Sequence, residues 1–292
     1  MHNLLLKDKI MSKKIFLIIL VITIFSCSKE NSSIPAYVEI KNVNLLTDPN
    51  FGESTENISD IWFYVDDNLQ GVYEIPVQFP ILEQGTKNIK IRAGIKANGI
   101  SSTRVEYPFY SSYIDTIELN EDQSIYISPE FTYNNSYQAI IEDFEDSGTI
   151  VDSTLNSEIA FSIIADNQGN NYAYAKIDTP NINFEASTQN LVLPQQGSPV
   201  YLEIDYKCST EFLVGVYINY SQNIEKKDLI WVTSKQDWNK IYINLTQTIS
   251  ESIGALSFKV FINFRRIDPN NFEEISFDNI KILGNNVNNL NN

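Results

Sequence analysis

Histidine is the first thing missing. The 292 residues contain one, His2, and it lies in an N-terminal stretch read below as a cleaved leader. The chain that follows then has no imidazole. That excludes a Ser-His-Asp or Cys-His catalytic unit and any His-ligated zinc site. Cysteine is nearly as scarce, with only Cys27 and Cys208. With Cys27 consumed at the end of the leader, no intramolecular disulfide can form. Cys208, on the strand pattern YLEIDYKC, reads as a small buried hydrophobe. Basic residues are outnumbered, 21 Lys and Arg against 37 Asp and Glu, for a net charge of −16. Loss of the leader, which is rich in lysine, makes the remainder more acidic still. This argues against a nucleic-acid partner, because phosphate contacts need a basic face. No segment shows a sustained helical period with caps. Acid–base chemistry, if any, falls to carboxylates, and a metal site would be all oxygen, which points to Ca²⁺.

What is there begins with the leader. Lys13 and Lys14 precede an apolar run, Ile15 to Phe25, then Ser26 and Cys27. The run is about half the ~20 residues that a membrane span needs. It resembles a bacterial lipoprotein signal, with Ile24 where Leu is typical and Phe25 where a small residue is typical. Such relaxed forms occur among lipoproteins of the Bacteroidota, which this chain resembles. The resemblance implies a start at Met11, removal of residues 1–26, acylation of Cys27, a tether over residues 27–35 and a place in the outer membrane. Acyl chains would anchor the chain at ~0.8 kcal/mol per buried CH₂. Lys29 and Glu30 in SKENSS fit an export signal to the outer face of that membrane, and they fit a plain polar tether too. An ordinary secretory signal and a short buried segment are the alternative readings. At the other end, NNVNNLNN (285–292) is polar and of low complexity, and is expected to be disordered.

Between the ends, Tyr, Phe, Ile and Val recur in period-2 runs bounded by Asn, Asp and Gly, an all-β signature. The length allows two modules. Residues 36–133 open with AYVEIKNVNL. They continue through a hairpin, DIWFYVDDNLQGVYEIP, with DDNLQG as its turn, and close on IDTIELNEDQSIYISPEF. This pattern resembles the immunoglobulin-like or PEGA-like sandwiches of surface lipoproteins, which serve as spacers or interaction domains. The aromatic loop 98–113, with Arg104, Tyr107, Phe109, Tyr110 and Tyr113, could form a patch for a protein partner or pack against the end of the sandwich.

Residues 134–136 read as a linker and residues 137–284 as the second module. It opens with IIEDFEDSG and closes with ISFDNIKIL. These edges resemble those of galactose-binding-like jelly-rolls, a class that includes many carbohydrate-binding modules. The fold class is therefore all-β, an N-terminal immunoglobulin-like sandwich followed by a C-terminal jelly-roll. The resemblance implies a structural Ca²⁺ at Glu145 and Asp278, with Asp143 a further ligand; a solvated acidic entrance is the alternative. It also implies glycan binding by exposed aromatics, since sugar C–H faces are apolar. Trp231 in DLIWVTS is the leading platform, with Tyr217 and Tyr220 nearby and Arg265 and Arg266 as donors to hydroxyls or an acidic sugar. Alternation places Tyr217 and Tyr220 on opposite faces of one strand. Trp238 matches a position that packs the core. The expected role is a lipid-anchored, non-catalytic envelope protein that binds glycan. The rivals are a lipoprotein that docks on another envelope protein and, last, a carboxylate-based carbohydrate-active enzyme.

Overall fold

The computed structural model describes residues 34–290. The leader, the acylation at Cys27 and most of the tether lie outside the described residues. The first module contains β1 (Ala36–Ile40), β2 (Asn44–Leu46), β3 (Asp60–Val65), β4 (Asn68–Glu74), β5 (Val77–Ile81), β6 (Gly85–Lys96), β7 (Arg104–Glu106), β8 (Tyr113–Leu119), β9 (Ser124–Tyr126) and β10 (Glu130–Thr132). The second begins with β11 (Gln138–Glu142), β12 (Val151–Ser153), β13 (Ser162–Ala165), β14 (Asn171–Ile177), β15 (Asn183–Thr188), β16 (Leu191–Val192), β17 (Tyr201–Cys208) and β18 (Phe212–Asn219). It continues with β19 (Ile224–Val232), β20 (Lys235–Asn244), a short helix α1 (Thr246–Glu251), β21 (Ser257–Arg265), β22 (Glu273–Gly284) and β23 (Asn288–Asn289). The described residues are all-β apart from α1 and one 3-10 turn, as the composition implies. Helix α1 shows no helical period in the sequence because six residues, capped by no side chain, are too few to carry one.

In the first module β4, β3 and β6 form one sheet, with β7 and β8 on the far edge of β6. Strands β5-β1-β9 and the parallel pair β2-β10 lie in separate sheets. Alternation sets the core: Phe63 and Val65 point in while Trp62 and Tyr64 point out. The β3–β4 turn is tighter than expected. Only Asp66 and Asp67 form it, both with positive φ (46° and 64°), and Asn68–Gly71 already belong to β4. A two-residue turn of this hand matches the right-handed twist of the strands it joins.

The second module is a two-layer antiparallel jelly-roll. One layer runs β13-β14-β22-β17-β20, with β11 beside the C-terminal half of β22. The other runs β12-β15-β21-β18-β19, with β16 and β23 at its end. Phe212, Val214, Val216 and Ile218 of β18 meet Leu202 and Ile204 of β17 and Phe277 of β22 in one core. Cys208 is buried there, and burial pushes its thiol up to about 11, so it is an unreactive hydrophobe. The expectation of a disordered tail from residue 285 fails as far as residue 290. Val287 is buried in the core, β23 pairs with β16, and Leu290 N–H donates to the Asn190 carbonyl. One apolar side chain with a vacant strand edge to pair against orders a segment whose composition is polar.

The aromatic loop 98–113 is not a free patch. Tyr107, Phe109 and Tyr110 are buried and pack edge-on against Tyr201 and Tyr242 of the jelly-roll. Arg104 turns back to Asp60 and Glu74 of its own module. The β6–β7 hairpin tip also pairs with the edge of β20. Ala97 bridges Tyr242, Asn98 N–H donates to the Tyr242 carbonyl at 2.7 Å, and Asn244 N–H donates to Asn98 Oδ1 at 2.8 Å. Of the two readings of the loop, a docking patch or packing within the chain, the structure shows packing, with the second module as its counterpart.

Candidate binding clefts at the module junction

The outer face of the β17–β20–β22 layer carries alternating polar residues: Glu203 and Asp205 on β17, Lys240 and Tyr242 on β20, Asp278 and Lys281 on β22. The first module covers part of this face. Glu203, fully buried, accepts hydrogen bonds from Tyr107 Oη (2.6 Å) and Tyr133 Oη (2.8 Å) and lies 3.3 Å from Lys240 Nζ. Lys240 also lies 3.1 Å from Asp205. Burial disfavours the Lys240 ammonium, but Glu203 and Asp205 outweigh that and raise its pKa. Burial pushes Tyr107, Tyr110, Tyr133 and Tyr242 well above the usual phenol value. The cluster is thus one ionised core in a ring of neutral phenols, and every member depends on its partners.

Two clefts open on either side of this seam, separated by Asn239 and Lys240, which line both. The first has a volume of about 410 Å³. Its jelly-roll wall is the end of β19 and the start of β20, where the chain crosses from one layer to the other, and Trp231 stands 52% exposed on β19 opposite Leu213. Its other wall is the first module, through Asn57, Lys96 and Asn98. Strand β19 pairs only with β18, so backbone groups on its free edge are available at the rim. Asn57 is fixed by donating from its N–H to Tyr242 Oη (2.9 Å) and from Nδ2 to the Lys240 carbonyl (2.8 Å).

The second cleft, about 490 Å³, is acidic and lined by Glu53, Asp166, Asp205 and Asp278. A bulge builds it. Across β17 and β22 the register shifts between Glu203 and Asp205, and Asn279 takes φ 47°. Consecutive residues Asp278 and Asn279 therefore both line the cleft, the re-aiming that a β-bulge permits. Asp278 is almost wholly buried. It accepts from Asn170 Nδ2 at 3.0 Å and from the Asn279 N–H at 2.7 Å. Burial, with Asp205 and Glu53 adding to it, pushes Asp278 up to about 7. Asn279 Nδ2 donates to Asp205 (3.0 Å) and Glu53 (3.1 Å), and its Oδ1 has no partner among the described residues. Trp238 stands at this cleft, 42% exposed and edge-on to Tyr172. The expectation that Trp238 packs the core is therefore corrected. The irregular start of β20 keeps it on the outer face, where Lys207 lies over both rings.

The other residues singled out from sequence scatter. Tyr217 does lie on the opposite face from Tyr220. Its hydroxyl donates to the buried Glu185 at 2.6 Å, in a knot closed by Lys226, Asn156 and Thr154. Burial opposes ionisation of Glu185, but Lys226 and the hydroxyl and amide donors outweigh it and hold the carboxyl below its ordinary value. Tyr220 packs on the core. Arg265 is exposed on β21, while Arg266 clamps a loop by donating to the carbonyls of Asn181 (2.9 Å) and Pro269 (2.7 Å). None of these four joins Trp231. Glu145 is taken by the backbone N–H and side-chain amide of Asn171, and Asp143 caps the N–H of Glu145. Asp278 faces the acidic cleft instead. Among the described residues no group of three or more acidic, His or Cys side chains is arranged to hold a metal. Glu145 and Asp278 are held by consecutive residues, Asn171 and Asn170. The sequence signal that was passed over is the phase break in ISFDNIKIL. Apolar residues at 275 and 277 give way to 280 and 282, which marks the bulge beneath the second cleft.

No protein-family model matches the chain, and no curated protein matches it. Solved structures similar to it include the CBM22-2 xylan-binding domain of Paenibacillus barcinonensis Xyn10C, at 14% identity and a TM-score of 0.36, over 50% of this chain and 98% of that one. A family 11 carbohydrate-binding module from Clostridium thermocellum, in complex with a beta-1,3-1,4-mixed-linked tetrasaccharide, is similar at 14% identity and a TM-score of 0.35, over 50% and 94%. The enzymatically active domain of bacteriophage CBA120 tailspike protein 4 is similar at 13% identity and a TM-score of 0.32, over 51% and 19%. A likeness of this size carries nothing about ligand, and the functional reading rests on the geometry of the junction.

Proposed function

We propose that the protein is a lipid-anchored, non-catalytic envelope protein that binds glycan in the Trp231 cleft at the junction of its two modules. One observation carries this reading: a half-exposed indole on the rim of a 410 Å³ cleft that asparagine amides line from both modules. An indole face suits the apolar face of a sugar ring, and fixed amides suit its hydroxyls. Binding of soluble polysaccharides, measured by affinity electrophoresis and calorimetry, tests it. Trp231→Ala should weaken any glycan bound by about tenfold or more, the scale of a lost aromatic anchor. An unchanged affinity would remove the cleft from the reading. A second reading has one observation in its favour, the Asp278 carboxyl held at about 7 beside Asp205, a feature suited to acid catalysis. Asp205 is already committed to Lys240 and Asn279, which ranks this second. Release of reducing ends from the same glycans, abolished in Asp278→Asn, would promote it. The reading of a protein-docking lipoprotein loses its basis, because the aromatic loop that supported it is buried within the chain.

A further inference from the structure

The Trp231 cleft has an unexpected electrostatic character. Acidic residues outnumber basic ones 37 to 21 in this chain, yet no carboxylate lines the cleft, and Lys96, Lys235 and Lys240 do. Lys240 is neutralised by Glu203 and Asp205. The uncompensated positive charge therefore comes from Lys235. Lys96 adds an ammonium whose ion pair with Glu74 is long (3.8 Å) and solvent-screened, while Arg104 is matched by the buried Asp60. Lys235 has no ion pair among the described residues. Across the Asn239–Lys240 wall the charge reverses, with Glu53, Asp166, Asp205 and Asp278 in the neighbouring cleft.

From these features, and resting on the glycan reading above, we propose that the Trp231 cleft selects an anionic glycan, one whose sugars carry carboxylate or sulfate groups. A protein of this net charge repels a polyanion at long range. At physiological salt, however, the screening length is about 8 Å, so charges lining the cleft outweigh the distant acidic surface. The indole takes the ring of the sugar, the asparagine amides take its hydroxyls, and Lys235 and Lys96 take its acidic groups. The acidic second cleft repels the same chain. It confines the anion to one side of the Asn239–Lys240 wall.

The test compares full-length protein with Lys235→Gln, Lys96→Gln, their combination, and Trp231→Ala. The ligands are polygalacturonate, dextran sulfate and a neutral mixed-linkage glucan, each at 50 and 300 mM NaCl. Binding of polygalacturonate that falls about three- to tenfold per lysine removed, and falls again with salt, is the result expected. Binding of dextran sulfate alone, with the same dependence on lysine and salt, also supports the proposal and assigns the anion as a sulfate ester. Neutral glucan bound through Trp231 and indifferent to both lysines overturns the anionic selectivity while leaving the glycan reading standing. Polyanion binding that survives Trp231→Ala and both lysine changes overturns the assignment to this cleft. Absence of binding to every glycan overturns both readings.

Discussion

Asp278 and Glu203 are both buried acidic side chains of one sheet face, and they meet different neighbours. Glu203 has two phenol donors and a lysine, so its charge is compensated. Asp278 has an amide, a backbone N–H and two carboxylates for neighbours, so it resists ionisation. The consequence for stability has a definite sign. The folded chain holds the Asp278 proton up to about pH 7, while in the unfolded chain it leaves near the ordinary value of 3.8. Between those values the native state binds more protons, so stability from this group falls as pH rises, and the loss is complete above about pH 7. Asp278→Asn abolishes that slope. Thermal melts of the two proteins from pH 4 to 8 should show the variant gaining on the wild type as pH increases. A difference that stays constant with pH would mean that Asp278 does not titrate in this range.

Strand β22 shows how one extra residue redirects an element. Its N-terminal half pairs with β14 and its C-terminal half with β11, and the bulge at Asn279 resets the alternation between them. Without it, Ile280 and Ile282 would leave the core. The end of the chain is a second case. Removal of residues 285–292 takes away the β23 pairing and the burial of Val287, so it should lower stability by about 1.5 to 3 kcal/mol, the scale of one buried aliphatic side chain. Urea denaturation of the truncated chain measures this. An unchanged midpoint would mean that the tail contributes nothing to folding.

For the molecule as a whole, the seam between modules is built like a core. Tyr201, Tyr242 and Leu283 of the jelly-roll belong to the same apolar cluster as Tyr107, Phe109 and Phe131 of the first module. The Glu203–Lys240 pair lies beside them, so separating the modules would expose apolar surface to water and strip Glu203 of both phenol donors. The two modules should therefore unfold together, as one calorimetric transition. Two resolved transitions would show the seam to be a weak contact. Both clefts are composite, and residues 137–290 alone should lose affinity for glycan even where they fold.

What the sequence by itself determined is the local physics. Period-2 patterning gave all-β strands and their inward faces, as with Phe63 and Val65. Aspartates at 66 and 67 allowed a tight turn. Alternation correctly separated Tyr217 from Tyr220. These are properties of neighbours along the chain. Tertiary structure decided the rest. Glu203 and Asp205 are buried on the outer face of their strand, Glu203 beneath Tyr107 and Tyr133 of the other module. The loop around Tyr107 fits a docking patch or packing within the chain equally by its pattern, and the structure packs it on the strand that carries Tyr242. The Trp231 cleft joins Asn57, Lys96 and Lys235. A side chain's partners across such separations depend on how two finished sheets meet, and that information is not present in any local pattern.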